Sequence, residues 1–583
     1  MRDDRARHGR ACSRHRRRCR RCASARRRAL QRRLRFRGGA HVMSRIDCLI
    51  VGSNQMVFSD YVASVAGMGS TSGAYRDLRL SFYEEGDQIV SCRDYFNRRQ
   101  PECLPDISYD DMLSATIAYL ATFLKRRGFT YAYVNMFQEG KAELARLLRS
   151  GHVSSVAITT TYYVSPLPLL EVVQFVRSID PGIRIIVGGP FVKTQHKILS
   201  AVSFRYLLAQ IGADVYVISN QGEETLVRVL QKIRDGGDFG EIANLVFREG
   251  DSYVSTSLVE EDNPLDENLV DWSLFARSVK GNGRRMVMAR TARSCPFACS
   301  FCSFPEHAGI YKYLNPADVW RELDAIQAMG GINSVTFIDD TFNVPPSRFR
   351  TILKGLKDRH YSFKWNCNFR CQYATPEIVE LMKEAGCEGV FLGLESGSNR
   401  ILQNMNKRVT AEQYLTGTGY LHDAGILTYA SFIIGFPGET DDTVNETIRF
   451  IERARPDFFR AQLWYYDTTT PIHKHAAKYA LRNSQFEWSH RTMNAKKAAD
   501  WVDRLHERIR GSMWLPQTDF DFPSLFCLLS QGRLLTDIKD VIGAFNQRVR
   551  YDLASREASD GTAHIDPNLL VDAEFMFDDH AAG

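Results

Sequence analysis

Cys295-Pro296-Phe297-Ala298-Cys299-Ser300-Phe301-Cys302 sets three cysteines in a C-x3-C-x2-C pattern, directly after Ala289-Arg290-Thr291-Ala292-Arg293-Ser294. Three thiolates on one short loop suit three irons of a [4Fe–4S] cube. The fourth iron then has no protein ligand, and an open iron is where a small molecule binds and accepts an electron. Zinc sites more often pair a C-x2-C with a second, distant pair, and disulfides need an even count and an oxidising compartment.

The strand-like run Met286 to Arg290 lies just before this loop, and strand and helix signals alternate after it. Further strand-like runs are Ser334 to Ile338, Phe363 to Asn368, Gly389 to Leu394, Thr428 to Ile434 and Gln462 to Tyr466. Between them, Asn315 and Thr375 each precede a proline that can open a helix, and Gly386 can close one. Six such units over residues 285–480 predict a partial (β/α)6 barrel of parallel strands. Its ligands belong at the C-terminal strand ends, where the cysteine loop sits. The chemistry-bearing strand ends are Asp339-Asp340, Glu395-Ser396 and Gly435-Phe436-Pro437-Gly438-Glu439-Thr440. Paired acids suit an amine or hydroxyl, although acids also cap helices. A lone acid such as Glu395 suits a ribose diol. Trp464-Tyr465-Tyr466-Asp467, after the sixth run, suits either a pocket wall or the core.

Upstream, residues 43–250 alternate in the same way. The runs Cys48 to Val51, Tyr131 to Asn135, Val153 to Thr159, Ile183 to Val187 and Val215 to Ile218 read as strands, with helices such as Tyr109 to Arg127 and Leu167 to Ser178 between. This predicts a doubly wound, Rossmann-like parallel sheet. The ends Ser53-Asn54, Thr159-Thr160-Thr161, Gly188-Gly189 and Gln221 fall on one edge, where such sheets bind ligands, though small residues there also serve simple turns. Residues 251–284 read as a linker and 481–583 as a mainly helical C-terminal region.

Residues 1–42 hold 17 Arg, no Lys and only Asp3 and Asp4 as acids, so the remainder of a chain with formal net charge +7 is acidic. That arginine-rich stretch lacks aromatic interleaving and an apolar secretory core, and is expected to be disordered or upstream of the true start. No apolar run reaches the roughly 18 residues a membrane span needs. The remaining cysteines are scattered, as free thiols in a reducing cytoplasm would be. Cys367, Cys371 and Cys387 invite an auxiliary metal site, but buried cysteine commonly serves as a small hydrophobe.

Taken together, residues 285–480 resemble a radical S-adenosylmethionine (SAM) domain. The resemblance is carried by the cysteine loop, Phe301, Asp339-Asp340, Gly393-Leu394-Glu395-Ser396-Gly397 and Gly435-Phe436-Pro437-Gly438-Glu439-Thr440. Residues 43–250 resemble the cobalamin-binding domain that precedes it in one large subfamily, through Thr159-Thr160-Thr161 and Val187-Gly188-Gly189-Pro190. The D-x-H-x-x-G motif that supplies a lower cobalt ligand in many cobalamin domains is missing, which implies cobalamin held without a histidine. The layout, with Asp47 to Gly52 and Glu487 to Met493, is similar to P-methyltransferases of phosphinothricin-type peptide biosynthesis.

The resemblance implies that Cys295, Cys299 and Cys302 hold a [4Fe–4S] cluster that chelates SAM. Asp339 and Asp340 would meet the SAM amino end, and Glu395 and Ser396 the ribose. Ser53, Asn54, Thr159, Thr160, Thr161, Gly188, Gly189 and Gln221 would cradle methylcobalamin, and Arg460 or Lys407 would bind a phosphinate. The implied reaction cleaves SAM to a 5′-deoxyadenosyl radical and moves a methyl group to a non-nucleophilic centre. The implied partners are a small-molecule or short-peptide substrate and an electron donor such as flavodoxin or ferredoxin. Neither nucleic acid nor a membrane is expected. C-methylation, another radical reaction or a cobalamin sensor without turnover are the alternatives. An RNA-modifying radical enzyme is disfavoured by the acidic body.

Overall fold

The computed structural model describes residues 45–100, 106–516, 518 and 520–559. The arginine-rich stretch lies outside them. Two seven-stranded sheets dominate the molecule.

The first sheet is built from β1 (Cys48–Ser53), β2 (Tyr131–Met136), β3 (Ser155–Thr159), β4 (Arg184–Gly188), β5 (Val215–Val217), β6 (Leu245–Glu249) and β7 (Ser252–Ser255). Their order is β2-β1-β3-β4-β5-β6-β7. The first five are parallel, and their fully buried runs, such as Ser-Val-Ala-Ile-Thr in β3, suit a sheet covered on both faces. All five expected strands are present. The antiparallel hairpin β6–β7 extends the sheet past residue 250, where the sequence suggested a linker, because Gly250 and Asp251 form its turn. The helix expected from Tyr109 begins only at Ala115 and ends at Arg126. It is preceded by an excursion of short helices and the hairpin Phe82–Glu85 with Gln88–Ser91.

The second sheet comprises β8 (Met286–Ala289), β9 (Ser334–Phe337), β10 (Lys364–Asn368), β11 (Cys387–Glu395), β12 (Leu427–Ile434), β13 (Phe458–Leu463) and the short β14 (Met513–Trp514). They pair in chain order, all parallel, as a partial barrel. The sixth strand lies earlier than expected. Trp464 and Tyr466 have the aromatic character of strand residues, but they follow β13 and are buried in the core, where Trp464 meets Trp488 with ring centroids 5.1 Å apart. Of the two expected caps, Thr375 accepts the Ile378 N–H, whereas Asn315 makes no side-chain cap.

The C-terminal region is helical, as expected, and it completes the barrel. Helix Phe522–Ser530 fills the lumen. Phe522 packs on Phe391 and Tyr429, and Ser530 accepts from Asn333 at the start of β9. Gly389 must be glycine for this helix to enter, since a Cβ there would stand 2.4 Å from the Phe526 ring. A continuous buried core runs from Ile50 and Ile117 through Trp272 and Phe275 to Met286 and beyond, so the two sheets share one interior. Helix Ala115–Arg126 lies between them, with the Tyr119 hydroxyl donating to the Arg290 carbonyl at 3.2 Å. No described helix is long and apolar enough to cross a membrane.

Candidate active site

The C-terminal edges of both sheets open onto one cavity of about 1020 Å³. That volume sits at the upper end of sites for single small molecules, roughly 300–1,000 Å³.

The first sheet meets the cavity at the point where its strand order reverses, between β1 and β3, the usual ligand position in such sheets. Ser53, Asn54, Thr159, Thr161, Gly188, Gly189 and Gln221 line it. Hydrogen bonds behind this ledge hold it rigid. The Asn54 amide donates to the Pro168 carbonyl and to Glu171, both at 2.9 Å, and accepts from Gln138 at 2.8 Å. Thr160 does not line the cavity. It is fully buried, and its hydroxyl donates to the Gly188 carbonyl at 3.0 Å. Gly189 follows with φ +116°, a conformation other residues rarely adopt. Helix Glu223–Asp235 also points its N-terminus this way, but Glu261 occupies that end, accepting from the N–H groups of Gly222, Glu224 and Thr225. The contact makes the supposed linker part of the ledge.

The second sheet contributes charge. Arg290, Arg293, Asp340 and Arg460 line the cavity, with Asn368, Phe391 and Tyr429. Asp340 opens into the cavity, and its carboxyl is pushed up to about 7 by desolvation and by Asp339 beside it. Asp339 does not face the cavity, contrary to the role the resemblance implied. Its oxygens accept the N–H groups of Thr291 and Ala292, at 2.7 and 2.9 Å, and the Thr291 hydroxyl. It therefore ties the end of β9 to the chain leading into the cysteine loop. Ser396 and Glu395 likewise stand off the cavity. Ser396 is fully buried and accepts from the Ser398 N–H, while Glu395, with φ +66°, faces Lys407 at 3.4 Å.

The cysteine loop flanks the cavity beside Ser294, Phe304 and His307. It begins at Ser294, a non-glycine residue with φ +67°, and is held from several sides. Ser300 N–H donates to the Met405 carbonyl at 2.9 Å, the Ile472 N–H donates back to Ser300 at 2.9 Å, and Asn406 donates to the Ala298 carbonyl at 2.7 Å. Arg370 lies 3.6 Å over the Phe297 ring. Cys299 is buried and Cys295 and Cys302 are half-buried, all three as free thiols. Burial pushes the Cys302 thiol up to about 11 and raises Cys295 as well, so these groups ionise only with a positive partner such as iron. Three cysteines on one short loop, held in place by these contacts, are the donor set an iron–sulfur cluster takes. The small residues of the first edge leave a ledge that a flat macrocycle would fit. Cys367, Cys371 and Cys387 are buried in the core, and burial raises all three thiols.

Residues 290–451 match the radical SAM superfamily. The chain is 27% identical over 378 residues to the anaerobic magnesium-protoporphyrin IX monomethyl ester cyclase of Cereibacter sphaeroides, covering 61% of this chain and 59% of that one. Its fold is similar to that of TsrM from Kitasatospora setae, a radical SAM methyltransferase solved with cobalamin and a [4Fe–4S] cluster (TM-score 0.54, 17% identity, 75% of this chain and 78% of that one). It is also similar to OxsB, a cobalamin-dependent SAM radical enzyme solved with aqua-cobalamin (TM-score 0.57, 14% identity, 91% and 81%). The two-sheet architecture is thus the fold that TsrM and OxsB share.

Tyr119, Arg290, Arg293, Tyr429 and Asp521 line the cavity without having stood out in the sequence. Arg290 and Arg293 directly precede the cysteine motif, and their proximity to it was the available signal.

Proposed function

We propose that this protein is a cobalamin-dependent radical SAM methyltransferase. Its best-supported acceptor is the phosphorus of an H-phosphinate amino acid or peptide, as in phosphinothricin-type antibiotic biosynthesis. The observation that carries the class is one cavity bounded by a ledge of small residues on one sheet and, on the other, by Ser294 and Phe304, the residues on either side of the three-cysteine loop. The finer assignment to phosphorus rests on the sequence layout.

When bound, the cluster with SAM supplies a hydrogen-abstracting radical and cobalamin supplies the methyl group, chemistry that side chains alone do not provide. Cys295, Cys299 and Cys302 would hold the cluster. Ser53, Thr159, Thr161, Gly188, Gly189 and Gln221 would hold cobalamin. Asp340 would take the ammonium of SAM, since a cation beside it favours the ionised carboxylate that burial otherwise opposes. A small electron donor of the flavodoxin or ferredoxin kind would reduce the cluster, and a cytoplasmic setting suits the free thiols.

The test is anaerobic. Protein reconstituted with iron, sulfide and cobalamin receives SAM, a reductant and an H-phosphinate amino acid. 5′-Deoxyadenosine, S-adenosylhomocysteine and a product heavier by one methyl are expected. 5′-Deoxyadenosine without a methylated phosphinate moves the acceptor to carbon, and no SAM cleavage overturns the enzyme.

A further inference from the structure

We propose that Arg460 and Tyr429 together form the seat for an oxyanion of the substrate at the barrel end of the cavity. This rests on the function proposed above and names the molecules the site takes: small acids that present a phosphinate or carboxylate to a guanidinium and a phenol.

Tyr429 on β12 stands opposite Phe458, and Arg460 on β13 stands opposite Ser431. Residues two apart on a strand share a face, so Tyr429 and Arg460 are diagonal neighbours on the inner wall. Both line the cavity. The Tyr429 ring is wedged against Phe391 and Phe522, with centroids 5.3 and 6.0 Å away, which fixes where its hydroxyl points. That hydroxyl is buried with the Arg460 guanidinium as its polar neighbour and has no acceptor for its proton. Arg460 donates from Nη2 to Gln462 at 2.8 Å, but its Nε is buried and unpartnered.

Two acids face this corner from neighbouring elements. Asp77, on helix Gly73–Leu78, accepts the Leu463 N–H at 3.0 Å, and Asp521 accepts from the N–H and hydroxyl of Ser524. The Arg460 charge acts on Asp77, favouring its ionised form against burial, and Asp521 acts on Tyr429. The Arg460 Nε–H and the Tyr429 hydroxyl proton therefore stand side by side without an acceptor, with aromatic walls around them. Buried donors without acceptors are costly, and an anionic oxygen satisfies both at once. Arginine presents the planar fork that suits phosphinate and carboxylate geometry. Lys407, the other cation considered for this role, is excluded by position. It is buried off the cavity and donates to the Gly393 carbonyl at 2.8 Å.

The test is titration calorimetry on the anaerobic holoenzyme with three probes: an H-phosphinate amino acid, its neutral phosphorus methyl ester and its carboxamide. Wild type is expected to bind the parent at least tenfold more tightly than one of the two neutralised analogues, and which one identifies the seated group. That ratio should fall towards one in Arg460→Gln, fall partly in Tyr429→Phe and be partly kept in Arg460→Lys. The cobalamin absorbance and iron content of each variant check that it has folded. Equal discrimination in wild type and Arg460→Gln overturns the seat, as does a wild type that fails to discriminate or binds none of the three. Methyl transfer with unchanged discrimination removes the seat and leaves the methyltransferase; discrimination without methyl transfer does the reverse.

Discussion

The two sheets face one cavity with edges of opposite character. The first offers serine, threonine and glycine, held from behind by hydrogen bonds such as those of Asn54 and Thr160. The second offers arginines and a carboxyl, several of them without a protein partner on at least one polar atom. The first edge is thus held rigid as folded, with Lys193 and Glu223 as charged groups beside its small residues. The second retains unfilled donors and a carboxyl that burial and its neighbour Asp339 push up to about 7, so it is completed by what binds there. Division of labour follows: a large, rigid cofactor on the first edge, and the charged, reacting molecules on the second.

The sharpest break between the edges should come from Cys299→Ala. The variant is expected to lose its cluster iron and all SAM cleavage, while cobalamin uptake, which rests on the other edge, persists. Iron assay, 5′-deoxyadenosine yield and the cobalamin spectrum on one sample check this. Simultaneous loss of cobalamin would mean that the edges are not independent. The converse variant is Ser53→Phe, which places a ring on the ledge. Cobalamin affinity should fall at least tenfold with iron content unchanged, as measured by titration of the absorbance spectrum. Unchanged affinity would move the ledge elsewhere.

A smaller effect separates folding from binding on the second edge. Asp339 accepts three hydrogen bonds, and Arg348 donates to the same Thr291. Asp339→Asn keeps an acceptor for the two N–H groups but puts a donor against the Thr291 hydroxyl, to which Arg348 already donates, and should lower stability by about 1–3 kcal/mol. The denaturation midpoint checks it. If Asp339 instead served SAM, the midpoint would hold and the affinity for SAM would drop.

These two adjacent acids show where sequence stopped being informative. The five strands of the first sheet and the cysteine loop were legible, because periodicity and spacing are local properties. Asp339 and Asp340 are equally local in sequence, yet one faces inward to Thr291 and the other into the cavity. That choice depends on a partner 48 residues away. Glu261 filling a helix end across the sheet, and Phe526 reaching Gly389 inside the barrel, are long-range contacts of the same kind. Tyr429 and Arg460 became neighbours only once β12 and β13 were in register.

The smallest expected effect concerns the loop after β12, which holds two buried titratable groups of opposite sign. Glu439 accepts the Gly435 N–H, and burial pushes its carboxyl up to about 8. His490 sits within hydrogen-bonding distance of the Gly435 carbonyl at 3.1 Å, and burial pushes its imidazole down to about 4. A carboxyl raised on folding binds more protons folded than unfolded, so its contribution to stability falls as pH rises from about 4.5 to 8. An imidazole lowered on folding binds fewer, so its contribution rises between about pH 4 and 6.5. The two slopes oppose each other between about pH 4.5 and 6.5, and above that Glu439 acts alone. Glu439→Gln keeps an acceptor for Gly435 and removes the charge. His490 is common to both proteins and cancels from the difference, so the stability of the variant relative to wild type should become steadily more favourable from about pH 4.5 to 8. Parallel denaturation curves for the two proteins across that range would show instead that Glu439 ionises freely in the folded state, and that the loop is open to water.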